Sequence, residues 1–458
     1  MSGSAARELT VTIEKIVAGG LGLGRLADGC TVLVPQVLPG EMVRVGVRRR
    51  HRRHLEAEVK ELLTPAPERR SPPCPWYGRC GGCDLQHADY PSQVARKQEI
   101  LAELLQRSGL GAAVLPVLAF PLAATAEFHY RQRIRLQVEE GRTGFFRTGS
   151  HQLQEVEACL LARPEINAAW AALRDHAGWR LLAGQCTALE ISLDPASRQV
   201  VLLLHHRRRP RPAERQAAWR LCRELSVLKG LGFLPADHAA GPFFDRQAGP
   251  EGRREPDQLR LHYVLPAELA GSSLTLGVEP AGFSQVNEEQ NRQLLRLLLE
   301  LLKPGGDEIL ADLHCGMGNF SLPLALRVRE VYGVDLQAAA IRGARRNAAA
   351  NGIANCRFSR AQARQGLADL VAAGIRPDIL LLDPPRTGCL DLVRSLAEPL
   401  PPRIAMISCD PATMVRDLGH LAARGYRVAA MRLVDMFPQT HHLETITLLL
   451  NDRVRNPA

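Results

Sequence analysis

A chain of 458 residues is too long for one ordinary core and points to roughly two to four domains. With 46% hydrophobic and 5% aromatic residues it reads as globular; no apolar run approaches the ~18 residues of a membrane span, and Met1 to Glu8 lacks the apolar core of a signal peptide, so a cytoplasmic protein without a membrane partner is expected. The net charge of +10 is almost all arginine, since only Lys15, Lys60, Lys97, Lys229 and Lys303 are lysines, and arginine forks favour a polyanionic partner.

Over residues 1–66 the pattern alternates in the manner of short strands, at Leu9–Ile13, Thr31–Val34, Met42–Val47 and Leu55–Val59. Glycine-rich turns at Gly19 to Gly24 and at Pro39-Gly40 separate them, which predicts a small OB-like barrel. Gly20, Gly22 and Gly24 have no long helix after them and read as a hairpin turn, not a nucleotide fingerprint. The run Arg48 to His54 falls between the last two strands. Such runs are often only solvated loops; on a barrel in a basic protein this one favours contact with an RNA backbone.

Residues 67–270 form the expected central domain. Cys74, Cys80 and Cys83 follow the spacing C-x5-C-x2-C, and Cys159 is the nearest candidate for a fourth thiolate. Zinc usually takes paired C-x2-C knuckles, whereas a compact triple with a distal fourth cysteine suits a [4Fe–4S] cluster better. The other seven of the eleven cysteines are scattered. An amphipathic helix is predicted over 91–108, and it could pack on the following domain. From about 126 onward the pattern is strand-rich. Arg131, Arg133 and Arg135 alternate, giving one strand a basic face that could touch RNA or only solvent, and 237–257 reads as a long exposed loop.

From 271 to 458 helices and strands alternate. A periodic helix over Glu288–Leu302 precedes a strand ending at Asp312, the glycine turn Cys315 to Phe320, and a second strand ending at Asp335. This is a β-α-β unit with an acid placed to hold a ribose. Only Gly316 and Gly318 fit the dinucleotide pattern, and the shorter turn is better suited to S-adenosylmethionine. Asp383-Pro-Pro-Arg386 and Ser408-Cys-Asp-Pro411 end two further strands, so three clusters converge where open α/β sheets place their chemistry.

These motifs, in this order, resemble the bacterial RNA uracil-5-methyltransferases, most closely the 23S ribosomal RNA branch with a TRAM domain and an iron–sulfur cluster. The resemblance covers nearly the whole chain. It rests on Leu38-Pro-Gly-Glu41, the four cysteines, Phe283-Ser-Gln-Val-Asn287, Asp312 to Phe320, Leu381-Leu-Asp-Pro-Pro-Arg386, Ser408-Cys-Asp-Pro-Ala-Thr413 and Asp435 to Glu444. It implies a multidomain α/β protein: a TRAM barrel, a β-rich central domain holding a [4Fe–4S] cluster through Cys74, Cys80, Cys83 and Cys159, and a Rossmann-like class I methyltransferase domain. The implied partner is 23S rRNA, not DNA, and the enzyme is expected to be a monomer.

C5 of uracil is a poor nucleophile, so a thiolate must first add at C6, and Cys409 is the candidate. A base must then remove the C5 proton, a role the resemblance gives to Glu444; without it, Glu444 would read as a surface ion-pair partner. Gln285, His314, Gly316, Gly318, Asn319, Asp335, Gln362 and Asp383 are carried over as contacts to cofactor or base. His314 stands where the family has Phe or Tyr, Asp335 where it has Glu, and Gln362 where Asn is frequent. Cys389 is a rival thiol in a position the family does not use, and reads as packing. The alternatives are a tRNA uracil-5-methyltransferase, whose branch lacks the cysteines and barrel; an adenine amino-methyltransferase, which needs no thiol; and a non-catalytic RNA-binding protein on the same fold.

Overall fold

The computed structural model describes residues 8–236 and 239–451. The expectation about a leader falls mostly on residues 1–7, outside the described residues. β1 (Glu8–Val17), β2 (Leu21–Arg25), β3 (Thr31–Val34), β4 (Met42–Arg50) and β5 (His54–Thr64) close a barrel in the order β1-β2-β3-β5-β4. Alternate residues point inward, among them Val11, Ile13, Val32, Val34, Val43, Val45, Leu55 and Ala57. Only Gly19 and Gly20 form the expected glycine turn, at φ 90° and 76°. Gly22 and Gly24 lie in β2, where an added Cβ would sit 2.3 Å from Val37 Cγ2 and 2.4 Å from Thr12 O. The basic run is a hairpin tip, since β4 extends to Arg50 and β5 begins at His54. Glu41, fully buried, ion-pairs with Arg69 and accepts the Leu38 N–H at 2.7 Å, tying the barrel to the start of the central domain.

Next comes a helix, Tyr90–Arg107, capped by Asp89 through the Ser92 N–H. Its buried stripe of Val94, Lys97, Ile100, Leu101 and Leu105 does not face the central domain. It packs on the C-terminal sheet, and β6 (Leu118–Leu122) adds to that sheet beside its last strand but one. The segment 90–122 therefore lies with the C-terminal unit, inside the range expected to be central.

The central sheet has the order β13-β12-β11-β10-β7-β8-β9, formed by β7 (Arg133–Glu139), β8 (Arg142–Phe146), β9 (Leu153–Glu155), β10 (Cys186–Leu193), β11 (Val200–His206), β12 (Leu228–Pro235) and β13 (Phe243–Asp245). Helices Pro164–Asp175, Ala177–Ala183 and Pro212–Glu224 cover it, around a core that includes Trp170, Trp179, Phe233 and Phe244. β13 corrects the expectation of an exposed loop over 237–257: Phe243 and Phe244 are buried against β12, because the aromatic pair closes the sheet while Pro and Gly only shape the turns around it. The basic strand face is corrected too. Arg133 donates to Ser192 Oγ and to the carbonyls of Gly282 and Pro280, leaving Arg135 as the exposed member of the three.

β14 (Leu261–Leu265) and β15 (Leu274–Val278) form a hairpin across the expected boundary at 271 and share the core of the C-terminal unit. That unit is an eight-stranded sheet, β18-β17-β16-β19-β20-β22-β21-β6. Its strands are β16 (Ile309–Asp312), β17 (Glu330–Asp335), β18 (Cys356–Arg360), β19 (Ile379–Leu382), β20 (Arg403–Ser408), β21 (Tyr426–Val434) and β22 (Glu444–Asn451). β16 to β20 run parallel, and β22 inserts antiparallel between β20 and β21. Two apolar cores flank the sheet, as parallel strands buried on both faces require.

Candidate functional site

The parallel strands deliver their carboxyl ends to one edge: Asp312 ends β16, Asp335 ends β17, Asp383 follows β19 and Cys409 follows β20. β22 runs the other way and begins there. Ser408 pairs with Thr445, so one further step of the register sets Cys409 beside Glu444. Antiparallel neighbours of this kind have Cβ atoms about 5 Å apart. Two residues 35 positions apart in sequence thus meet because of the strand reversal.

Electrostatically these groups oppose one another's ionisation. Burial holds Glu444 well above the ordinary carboxylate range, and Asp383 raises it further. Burial, with Asp312 adding, pushes Asp383 up to about 7. Asp312 is also raised to about 7 by burial and by Asp335, although Ser321 Oγ donates to it at 2.6 Å. Burial lifts the Cys409 thiol to about 11, with Glu444 and Asp383 adding; Arg386 acts in the opposite sense. A half-buried thiol and a cluster of proton-retaining carboxyls thus share one cleft, an arrangement typical of functional sites. Cys389 differs: it is buried, and its own N–H donates to Asp417 at 2.8 Å.

The glycine turn lies beside the acids. Gly316 and Gly318 adopt φ 55° and 91°, and a Cβ at Gly316 would meet nothing within 4 Å, so the backbone there borders open space. Asp335 accepts the Gly316 N–H at 3.0 Å and the Gln337 N–H at 2.8 Å. Burial lowers His314 to about 4, so the ring is neutral, and its Nδ1 has no protein partner. Asp312 Oδ1 is buried and unpartnered as well. Asn319 exchanges two hydrogen bonds with Asn291, at 2.9 and 3.0 Å, anchoring the turn to helix Glu288–Leu302. Gln285 lines a small cavity with Asn291, Met317 and Asn319. Gln362 is exposed at the start of helix Ala363–Ala372 and makes no side-chain cap. The open glycine turn and the unpartnered polar atoms of His314 and Asp312 near it fit a polar ligand such as S-adenosylmethionine.

Cys74, Cys80, Cys83 and Cys159 carry free thiols and are partly buried. Burial pushes Cys80 up to about 11, with Cys159 and Cys74 adding. Burial also raises Cys83, with Cys159 and Cys80 adding, and Cys159, with Cys74 adding; Arg131 favours the thiolates of these last two. The four therefore converge. Among the described residues the group of three ligand atoms mutually within 4.8 Å is His51, His54 and Glu56, so no three of these sulfurs are that close. A single zinc ion would draw its sulfurs to about 3.8 Å apart, given Zn–S bonds of about 2.3 Å. The donor set is all thiol, the chemistry that a thiophilic metal ion or an iron–sulfur cluster takes.

Residues 435–443 link β21 to β22 and form a hub that the sequence reading missed. Asp435 accepts from Tyr90 Oη at 2.9 Å and Lys97 Nζ at 2.7 Å; Lys97 also donates to Phe437 O at 3.0 Å. Asn287 Nδ2 donates to Met436 O, and Tyr130 Oη to Pro438 O. Gln439 is fully buried at φ 70° and bonded to Gln93, Arg70 and Glu127.

Residues 267–452 match the family described as tRNA (Uracil-5-)-methyltransferase, and residues 6–60 match the TRAM domain. The chain is 35% identical to the 23S rRNA (uracil(1939)-C(5))-methyltransferase RlmD of Chromohalobacter salexigens, over 99% of this chain and 92% of that one. It is 36% identical to the protein of the same name from Halomonas elongata, over 98% and 90%. In fold it is similar to the Pyrococcus abyssi tRNA (uracil-54, C5)-methyltransferase in complex with S-adenosyl-L-homocysteine, with a TM-score of 0.69 and 22% identity over 98% of this chain and all of that one.

Proposed function

This chain belongs to the family of 23S rRNA (uracil-C(5))-methyltransferases, and from that membership we propose that it methylates C5 of one uridine of 23S rRNA through a covalent bond from Cys409 to C6. The relatives' names specify uracil 1939, and the equivalent uridine is the target we assign. The observation that carries the reading is the meeting of a thiol and a proton-retaining carboxyl at the adjoining ends of β20 and β22.

In the first step the Cys409 thiolate adds to C6, and the C5–C6 electron pair moves onto C5 and the C4 oxygen. Arg386, the positive group beside the thiol, favours its ionised form. S-adenosylmethionine supplies the electrophilic methyl group, which C5 takes as the sulfonium leaves as neutral thioether. C5 then carries both a proton and the new methyl. Glu444, in its ionised form, takes that proton and becomes the neutral acid, the C5–C6 double bond re-forms, and the Cys409 thiolate is expelled. A carboxyl held above its ordinary range is a stronger base than a solvated one, which suits this step. The target base must leave its stack to reach a thiol in a cleft.

Asp335 and Gly316 would hold the methyl donor beside His314, Gly318, Asn319, Gln285 and Asp383, with Gln362 at the rim. Cys74, Cys80, Cys83 and Cys159 would hold a [4Fe–4S] cluster; uracil methylation transfers no electron, so its role here is to fold the central domain. The basic barrel tip would grip flanking RNA. We place the enzyme in the cytoplasm as a monomer; no helix among the described residues is long and apolar enough to cross a membrane.

Mass mapping of ribosomal and transfer RNA from cells lacking the protein tests the reading. Loss of one methyl from 23S rRNA is expected. Loss from transfer RNA alone would reassign the substrate, and unchanged maps of both would refute the activity.

A further inference from the structure

Asp84 directly follows Cys83 in the cysteine loop, yet its side chain faces the loop that carries the base. Its Oδ2 accepts the His441 N–H at 3.2 Å and lies 2.7 Å from His441 Nδ1. The backbone N–H groups of Asp84 and Leu85 both donate to Gln439 O, at 3.0 and 3.1 Å. The barrel closes over the same point: a Cβ at Gly20 would sit 3.1 Å from the Cβ atoms of both Asp84 and His441. Three units of the chain thus meet at one carboxylate.

Glu444 lies three residues beyond His441 and is the first residue of β22. It is buried, and its backbone is held in register by Val434 of β21 and, one residue on, by Ser408 of β20, so the loop acts on the edge of that pairing, where Glu444 is the first residue. The approach to that edge is set at the tip of the loop, where Asp84 holds His441 and Gln439.

Resting on the assignment of Glu444 as base, we propose that Asp84 is a positioning residue for proton removal: through His441 it fixes the approach to β22 and keeps Glu444 beside Cys409. The methyl transfer itself needs Cys409 and the donor, whereas release of the product needs Glu444. Displacing the base therefore blocks a different step from losing the fold. The enzyme should add to C6 and methylate C5, then stall with RNA still bonded to Cys409.

The test uses full-length, cluster-loaded protein and target RNA. With Asp84→Ala, and separately with His441→Ala, which leaves the cysteine loop intact, turnover is expected to fall on the order of 10²-fold, as misplacement of a catalytic group by about 1 Å does. KM for RNA should fall together with kcat because the bound adduct accumulates, the visible absorption of the cluster should be unchanged, and a methylated protein–RNA adduct stable to detergent should build up. Asp84→Asn keeps an oxygen that accepts both N–H bonds and should recover most of the turnover without adduct. Unimpaired turnover in both alanine variants, or slow turnover without adduct in His441→Ala, would overturn the proposal. Wild-type protein that methylates no uridine in the same assay would instead overturn the function beneath it.

Discussion

Lys97 and Asp435, 338 positions apart, form a fully buried ion pair with Nζ 2.7 Å from Oδ1. Burial lowers the Lys97 ammonium from its ordinary range while Asp435 draws it back up. Removing one partner strands the other charge, which typically costs about 3–5 kcal/mol. Lys97→Met should therefore lower Tm substantially, and the double variant Lys97→Met with Asp435→Asn should regain much of that loss. Equal Tm for wild type and Lys97→Met would contradict the pairing.

Cys409→Ala should form no covalent complex with RNA carrying 5-fluorouridine at the target and should transfer no methyl. Glu444→Gln should still form the bond and pass on the methyl, then release product too slowly to turn over. Gel mobility under denaturing conditions, with labelled methyl donor, separates the two. Adduct formation by Cys409→Ala would remove that thiol from the mechanism.

The Cys409 thiol is held near 11, so at neutrality only a small fraction is thiolate. The rate of covalent complex formation should climb with pH from neutrality toward about 10. Arg386→Ala removes a positive charge that favours the thiolate and should shift that rise to higher pH. An identical profile for both proteins would exclude Arg386 from thiol activation.

Asp383 is raised to about 7 in the fold, from an unfolded value of about 3.9. A raised carboxyl adds its full stability below the unfolded value and loses it as pH rises through the folded one. Asp383→Asn should therefore gain Tm over wild type progressively between pH ~5 and ~8 while losing activity. A Tm difference that does not change with pH would show that Asp383 titrates normally.

Cys83→Ser should lose bound iron and broad visible absorption in protein purified without oxygen, along with several degrees of Tm. Wild-type protein with one zinc and no iron would overturn the cluster assignment.

The chemistry was legible because each step demands a residue type at the end of a strand: an acid after β16 and β17, Asp383 after β19, a thiol after β20. Those demands leave short motifs that survive without knowledge of the fold. Lys97 was not read as a buried partner, although it interrupts the apolar stripe of Val94 and Leu101, because the acid that pairs with it lies 338 positions away. Asp84 and Gln439 were not legible, because their partners lie more than 300 positions away and nothing local marks them. β6 and β13 were missed because each is short and has Pro and Gly nearby; β6 also pairs with β21, some three hundred positions away, whereas β13 folds back on the neighbouring β12. The barrel was foreseen from period-two alternation, apart from β2, whose glycines read as turn.

Because β6 and the helix before it leave the ribosome some three hundred residues ahead of β21, their apolar surfaces must wait for a late partner. Long-range pairing of this kind slows folding and exposes sticky intermediates. Residues 271–458 expressed alone would also lack an edge strand and the cation for Asp435. The methyltransferase unit is in this sense assembled from both halves of the polypeptide, and dissecting it by the conventional domain cut should yield an aggregating fragment.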